Sequence, residues 1–344
     1  MKIGMQMSYA GGFKESAALV REYEQNGLDV AWIAEAYGLD APSFMGYLAA
    51  QTETVQIASG ILPIYTRTPT LLAQTAAGID AMSDGRCILG LGASGPQVIE
   101  GWHGVPYDAP IGRTREIIDI CRQVWKREAP LEHDGRYYHL PLPAGQGTGL
   151  GKPLKIIGRP VRSSIPIYVA SLGEKNVQMT AEVADGWLPI FYLPEKAREV
   201  WGTDLDIGAA KRSAELGPLE IAAGGFVAVT DDPDPMLDFG RATAALYIGG
   251  MGSRERNFYN QLAIRYGYEK EAKEIQDLYL EGKKNEAAAA VPLEFLRLTN
   301  LVGPEGYIKD RVQAFKDSGV SILNVNIMSD KPTELLGKLK AWAS

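Results

Sequence analysis

The sequence predicts a single α/β domain, a (β/α)8 TIM barrel, on three observations. Eight short apolar runs alternate with helical periods along the 344 residues, and no shift of composition divides the chain. A glycine pattern that would favour the rival doubly wound sheet lacks the context it needs. That pattern is GLGASG, residues 90–95, which matches G-x-G-x-x-G. A dinucleotide turn leads straight into a helix and then into a second strand that ends in an acidic residue. Here Pro96 follows the third glycine, and RTREIIDICRQVWK, from Arg113 to Lys126, has helical periodicity where that strand should lie.

The elements follow in order. MKIGMQMSY alternates as a strand, FKESAALVREYEQNG is a helix closed by Gly27, and DVAWIAE is the second strand. PSFMGYLAAQT carries proline in its first helical turn, VQIASGI is the third strand, TPTLLAQTAAGIDAMS a helix and RCILGLG the fourth strand. After the helix from Arg113 come the strand IPIYVAS, the helix EKNVQMTAEVA, the strand GWLPI and the helix PEKAREVWGTDLDIGAAKRSAEL. LEIAAGGFVAVT and SILNVNI complete the eight strands. Two insertions interrupt the alternation inside the one domain, 1–344. Residues 129–164 are rich in glycine and proline, with a hairpin signal at Asp134-Gly135. Residues 249–299, between strands seven and eight, are read as two or three polar-faced helices with interleaved tyrosines. Tyrosines at helical spacing commonly serve packing, but an insertion on the C-terminal face of a barrel roofs the active site.

Composition narrows the partners. The net charge is -7 and basic residues are scattered, which argues against nucleic acid and anionic membranes and leaves small molecules. Cys87 and Cys121 have no C-x-x-C spacing and the three histidines form no ligand cluster, so a reduced cytoplasmic protein without structural metal is expected. No run approaches the roughly twenty apolar residues of a membrane span, and nothing addresses the chain out of the cell.

On a barrel, the glycines at 90–95 stand at the C-terminal end of strand four, where they let a flat ring or a backbone approach closely; the plainer reading is a tight turn. In YVASLGEKNVQ, Ser171 and Gly173 directly precede a helix, so free N–H groups and the positive end of the helix dipole face one spot. That is an anion site, or an ordinary serine and glycine helix start.

At ASGILPIYTRTPTLLAQTAAGIDAMSDGRCILGLGASGPQVIEGWHG the chain resembles the bacterial-luciferase-like superfamily, in particular its coenzyme F420-dependent oxidoreductase branch with methylenetetrahydromethanopterin reductase. The resemblance continues through SLGEKNVQMTAEVADGWLP, MGSRERNFYNQLAIRYGYEKEA and LVGPEGYIKDRVQAFKDSGVSILNV. It implies a non-proline cis bond between Gly60 and Ile61, with Ser59 beside it, bulging under a deazaflavin or flavin ring. It places the cofactor phosphate on Ala170, Ser171, Leu172, Gly173 and Glu174, the loop that the anion argument also selects. Ring-edge contacts fall to Ala93, Ser94, Gly95 and Gln97. No metal is implied.

The implied chemistry is hydride transfer at the deazaflavin C5 rather than oxygenation. Glu35, at the end of strand two, stands where relatives carry an acidic or histidine residue near the ring. A carboxyl in a partly closed apolar site suits a general acid; the alternatives are a solvated strand end or a structural ion pair. Gln6 stands where methanopterin reductases carry a carboxylate, and an amide cannot transfer a proton, which argues against methanopterin reduction. His103, in EGWHG, is an acid-base candidate or a packed side chain beside Trp102. Two other functions compete: an FMN-dependent monooxygenase of the same fold, and a non-catalytic flavin- or deazaflavin-binding protein. A barrel glycosidase is disfavoured, because one carboxylate rather than a facing pair lies at a plausible strand end. Apolar and small residues surround more of helices PSFMGYLAAQT and TPTLLAQTAAGIDAMS than a one-sided barrel helix needs. Resembling proteins pair there, so a homodimer is expected.

Overall fold

The computed structural model describes residues 1–8 and 10–344; Tyr9, at the end of MKIGMQMSY, lies outside the described residues. Among the described residues, eight parallel strands form a closed ring: β1 (Lys2–Met7), β2 (Val30–Ile33), β3 (Gln56–Ser59), β4 (Cys87–Gly92), β5 (Ile167–Val169), β6 (Gly186–Trp187), β7 (Glu220–Val229) and β8 (Ile322–Ile327). Each pairs with the next, and Lys2 opposite Ile322 closes β8 onto β1. The surrounding helices are α1 (Phe13–Gln25), α2 (Ala41–Gln51), α3 (Pro69–Met82), α4 (Pro110–Lys126), α5 (Glu174–Val183), α6 (Pro194–Ala209), α7 (Glu305–Asp317) and α8 (Pro332–Ala343). The expected single-domain (β/α)8 barrel is therefore what the chain forms.

Period-two alternation divides the core. On β2, Val30 and Trp32 point into the barrel with Ala58, Ile88, Tyr168, Ala222 and Ile322, while Ala31 and Ile33 join the larger apolar layer under the helices. The helix starts follow local chemistry. The Asp40 carboxylate accepts the Ser43 N–H at the head of α2, and the Thr68 hydroxyl accepts the Leu71 N–H at the head of α3.

Three readings needed correction. The helix expected through Leu216 stops at Ala209, because the Arg212 side chain folds back to donate to the Gly217 and Ala181 carbonyls and a separate 3-10 turn, capped by Ser213, covers Ala214–Leu216. A ninth strand, Leu301–Gly303, pairs with β7 at Val227–Val229; three residues carry too little pattern to announce a strand. Between Gly249 and Thr299 four helices form, Phe258–Arg265, Glu269–Leu280, Lys284–Ala289 and Leu293–Thr299. Their breaks at Gly267, Gly282 and Pro292 are local turn signals inside one long polar stretch. The hairpin does form, with Asp134 opposite His139. Glu116 on α4 holds it by accepting the Arg136 and Tyr138 N–H groups.

Candidate active site

The mouth of the barrel is shaped first by a bulge in β3. Ala58 pairs with Ile88, and pairing resumes with Leu62 opposite Leu91, so β3 carries one residue more than β4 between these points. The Ser59 hydroxyl replaces the interrupted ladder. It donates to the Gly90 carbonyl at 2.9 Å and accepts the Gly90 N–H at 2.8 Å. Gly60 donates to the Ile33 carbonyl, and the Ile61 carbonyl accepts the Glu35 N–H, so the bulge is also tied to the end of β2. The bond between Gly60 and Ile61 is cis, as expected.

The glycines of GLGASG now have a physical cause. A Cβ on Gly90 would stand 1.8 Å from the Ser59 carbonyl oxygen, and one on Gly92 would stand 2.8 Å from the Ile61 side chain. Of the two closely approaching partners open to these glycines, ring or backbone, both meet the bulge. Beyond them Ala93, Ser94, Gly95 and Gln97 form the strand-four loop. Ser94 takes a left-handed φ of 57° and is exposed, as is Gln97.

The loop after β5 begins with Ala170, whose N–H bonds the Leu91 carbonyl. Ser171 is buried, its hydroxyl turns inward onto Thr180 at 2.9 Å and its carbonyl accepts the Trp187 indole N–H, which leaves its N–H as the group open to an anion. Leu172 is half-buried and accepts from the Trp201 indole. Gly173 precedes α5 with no side-chain cap, which leaves the first N–H groups of the helix without an intrahelical acceptor. Its φ of -74° is ordinary, and its missing Cβ makes room for Phe258 of the insertion. Glu174, the first residue of α5, is exposed.

Glu35 does not sit in an apolar site. Arg67 forks onto both its oxygens, at 2.5 and 2.8 Å, and one of them also accepts the Ala41 N–H at the head of α2. The two side chains are 8% and 14% exposed. Of the readings open to Glu35, the geometry matches the structural ion pair rather than a group exchanging protons with a substrate. Arg67, in YTRTP, went unnoticed in the sequence because nothing in its spacing pairs it with a residue 32 positions away. Gln6 ends β1, is exposed, and donates to the Trp32 carbonyl. His103 is half-buried and its Nε2 has no hydrogen-bond partner among the described residues.

Above the strands the insertion is held by two amides. Asn257 donates to the Tyr247 and Ile248 carbonyls and accepts the Tyr259 and Asn260 N–H groups; Asn260 donates to the Ile248 and Ala272 carbonyls. This knot presents Tyr247 and Tyr259, rings 4.8 Å apart, on the barrel side of the roof, next to Phe191.

The sequence pattern of the family described as luciferase-like monooxygenase matches residues 1–321. A Mycobacterium tuberculosis protein named "Putative coenzyme F420-dependent oxidoreductase Rv3520c" is 40% identical over 343 residues, 98% of this chain and 99% of its own length. The 5,10-methylenetetrahydromethanopterin reductase of Archaeoglobus fulgidus is 27% identical, over 93% of this chain and 92% of its own. Among solved structures, the coenzyme F420-dependent tetrahydromethanopterin reductase from Methanopyrus kandleri superposes with a TM-score of 0.76 at 23% identity, covering 98% of this chain and 96% of the other.

Proposed function

Since this chain belongs to the luciferase-like monooxygenase family, we propose that it is an oxidoreductase that uses coenzyme F420 and moves a hydride between the deazaflavin C5 and a small organic substrate. The observation that carries this reading is the match, along nearly the whole chain, with a mycobacterial protein named for that cofactor. The residues present fit such a group. The Ser59–Ile61 bulge, sunk onto Gly90 and Gly92, supports the reading of a ring seat, with Ala93, Ser94, Gly95 and Gln97 at the ring edge. The uncapped start of α5, with the backbone of Ala170, Ser171, Leu172, Gly173 and Glu174, supports a phosphate seat. The chemistry that a deazaflavin supplies there is two-electron transfer as hydride. This chain's own share is to bind and orient the reactants; Glu35, locked to Arg67, positions the end of β2 against the bulge. Titrating the purified protein with F420 and with FMN, by fluorescence, tests the assignment. Tight F420 binding with hydride exchange supports it; preference for FMN with oxygen consumption, or binding without exchange, overturns it.

Replacing Gly173 by aspartate is expected to weaken F420 binding several-fold or more while the fold survives. Like charges about 4 Å apart at an effective dielectric near 20 repel by roughly 4 kcal/mol before screening, and a quarter of that already reduces affinity several-fold. With φ at -74° the backbone accepts a side chain, and Phe258, 55% exposed, is free to turn away. A titration beside thermal melts of both apoproteins checks this. Unchanged affinity in a well-folded variant would remove the phosphate from this loop.

We further propose a cytoplasmic homodimer. No helix among the described residues is long and apolar enough to cross a membrane, and both cysteines are free and buried. Tyr47 on α2 and Leu71 and Met82 on α3 expose 40%, 45% and 57% of their surface on two helices that pack side by side, an apolar face suited to a second copy. Light scattering at micromolar concentration is expected to give twice the chain mass, and the monomer mass would refute the pairing.

A further inference from the structure

The rim of the barrel mouth carries a feature that the cofactor reading leaves unused. Tyr65 follows β3, Tyr107 lies in the excursion after β4, Phe191 follows β6, and Tyr247 and Tyr259 come from the insertion after β7. These five aromatics, set by four separate segments, meet in sequence around one side of the mouth. Tyr65 and Tyr107 have ring centroids 5.2 Å apart, Tyr107 lies within electrostatic reach of Tyr259, Tyr259 and Tyr247 are 4.8 Å apart edge-on, and Tyr247 and Phe191 are 5.7 Å apart edge-on. Ordinary packing would bring such rings together inside the core, yet all five are only half-buried.

The backbone departs from regular geometry at two of them. Phe191 adopts a left-handed φ of 52°, uncommon for a bulky side chain, and the Tyr266 hydroxyl pins its carbonyl at 2.9 Å. Tyr247 rides on a single π-turn, Leu246–Gly250. The Tyr107 hydroxyl donates to the carbonyl of Ser94, itself left-handed. Irregular backbone at the end of a barrel strand is retained where a side chain must be aimed.

The opposite side of the mouth is also uncharged. Gln6 on β1 and Asn326 on β8 are exposed, and by period-two alternation they share the inward face with Gly4 and Asn324. The cations near the arc are paired, Arg67 with Glu35 and Arg113, whose charge reaches Tyr65, with Asp108. The phenols stay neutral as well, because burial pushes Tyr65, Tyr107 and Tyr259 upward from the ordinary tyrosine range.

We infer that this aromatic arc, facing two amides, is the substrate wall, and that it selects flat, uncharged, conjugated carbonyl compounds over anionic ones. The inference rests on the proposed oxidoreductase reading for its chemistry, but its binding test does not. A planar ring stacks against the arc, a carbonyl oxygen finds donors in the two amides, and an anion would be desolvated with Arg67 and Arg113 already paired.

The test uses menadione, a flat uncharged naphthoquinone, and 2-hydroxy-1,4-naphthoquinone, the same ring system ionised at neutral pH. Binding is measured by calorimetry and by ligand-observed NMR, on the protein alone and saturated with F420. Menadione is expected to bind about tenfold or more tightly than its anionic counterpart. Tyr259→Leu and Tyr107→Leu, on two independent segments, are each expected to weaken menadione by about fivefold to tenfold, whereas Tyr259→Phe retains most of the affinity. Equal binding of the two quinones, or unchanged menadione affinity in whichever leucine variant folds normally, overturns the inference. If F420 fails to bind while menadione discriminates as described, the arc stands and the cofactor assignment falls; if F420 binds and menadione does not, the arc falls alone.

Discussion

Replacing Gly90 by alanine is expected to lower stability by about 3 kcal/mol or more and to abolish F420 binding. The added carbon would lie 1.8 Å from the Ser59 carbonyl oxygen and 2.9 Å from its carbonyl carbon. Both are backbone atoms, so no rotamer change relieves the overlap. The bulge must lift away from β4, and the Ser59 hydroxyl then loses both of its bonds to Gly90. A buried hydroxyl and a buried amide left without partners each add about 1 kcal/mol or more. A thermal melt and a fluorescence titration read the two effects separately. A variant that melts within about a degree of the parent and binds F420 normally would show that the bulge tolerates displacement and is not the ring seat.

The second large effect belongs to Arg67. Substituting it by alanine leaves Glu35, 8% exposed, with a single remaining donor, the Ala41 N–H. Breaking a buried pair from one side costs about 3 to 5 kcal/mol, because the surviving charge has lost its water and its partner together. The expected loss is at the lower end of that range, since the pair lies at the rim of the barrel. Exchanging both residues, Glu35→Leu with Arg67→Met, is expected to recover most of the stability, as an apolar pair of similar volume leaves no stranded charge. Denaturant melts of the two singles and the double give the coupling energy. Additive losses would mean that the two side chains do not depend on each other.

The barrel was legible in the sequence because its signal is distributed. Eight apolar runs at regular spacing report a repeating architecture even though β6 contributes only Gly186 and Trp187 to the ladder. The proposed ring seat rests on resemblance. GLGASG shows that something approaches β4 closely, but nothing in its spacing distinguishes a pyrophosphate, a flat ring or the chain's own bulge, and the bulge proved to be what Gly90 and Gly92 admit. Glu35 was found by its place at a strand end and its partner was missed, because an ion pair across 32 residues leaves no periodicity. The aromatic arc was hidden for the same reason. Four of its members lie outside α-helix and strand, Tyr259 being the exception, and a residue such as Phe191 gives no sign in the sequence that its backbone turns left-handed. Ser171 shows the converse, a residue whose type suited an anion but whose hydroxyl the fold spends on Thr180.

The amide knot of Asn257 and Asn260 has a consequence for inheritance. Its bonds run to main-chain groups between Tyr247 and Ala272, so the knot keeps its shape by its own connections, while Tyr266 and Arg265 tie the segment to Phe191 and Val200 of the barrel. Natural variation can therefore remodel the tyrosines that the knot displays without disturbing the bulge on β3, whereas Phe258 keeps the segment against Gly173 of the loop after β5. A lineage carrying such a scaffold is free to change what it accepts while conserving what it does. On the readings proposed above, a protein's history of ligand choice should be written in the segment from 246 to 272, and its history of cofactor use in Ser59, Gly90 and Gly92.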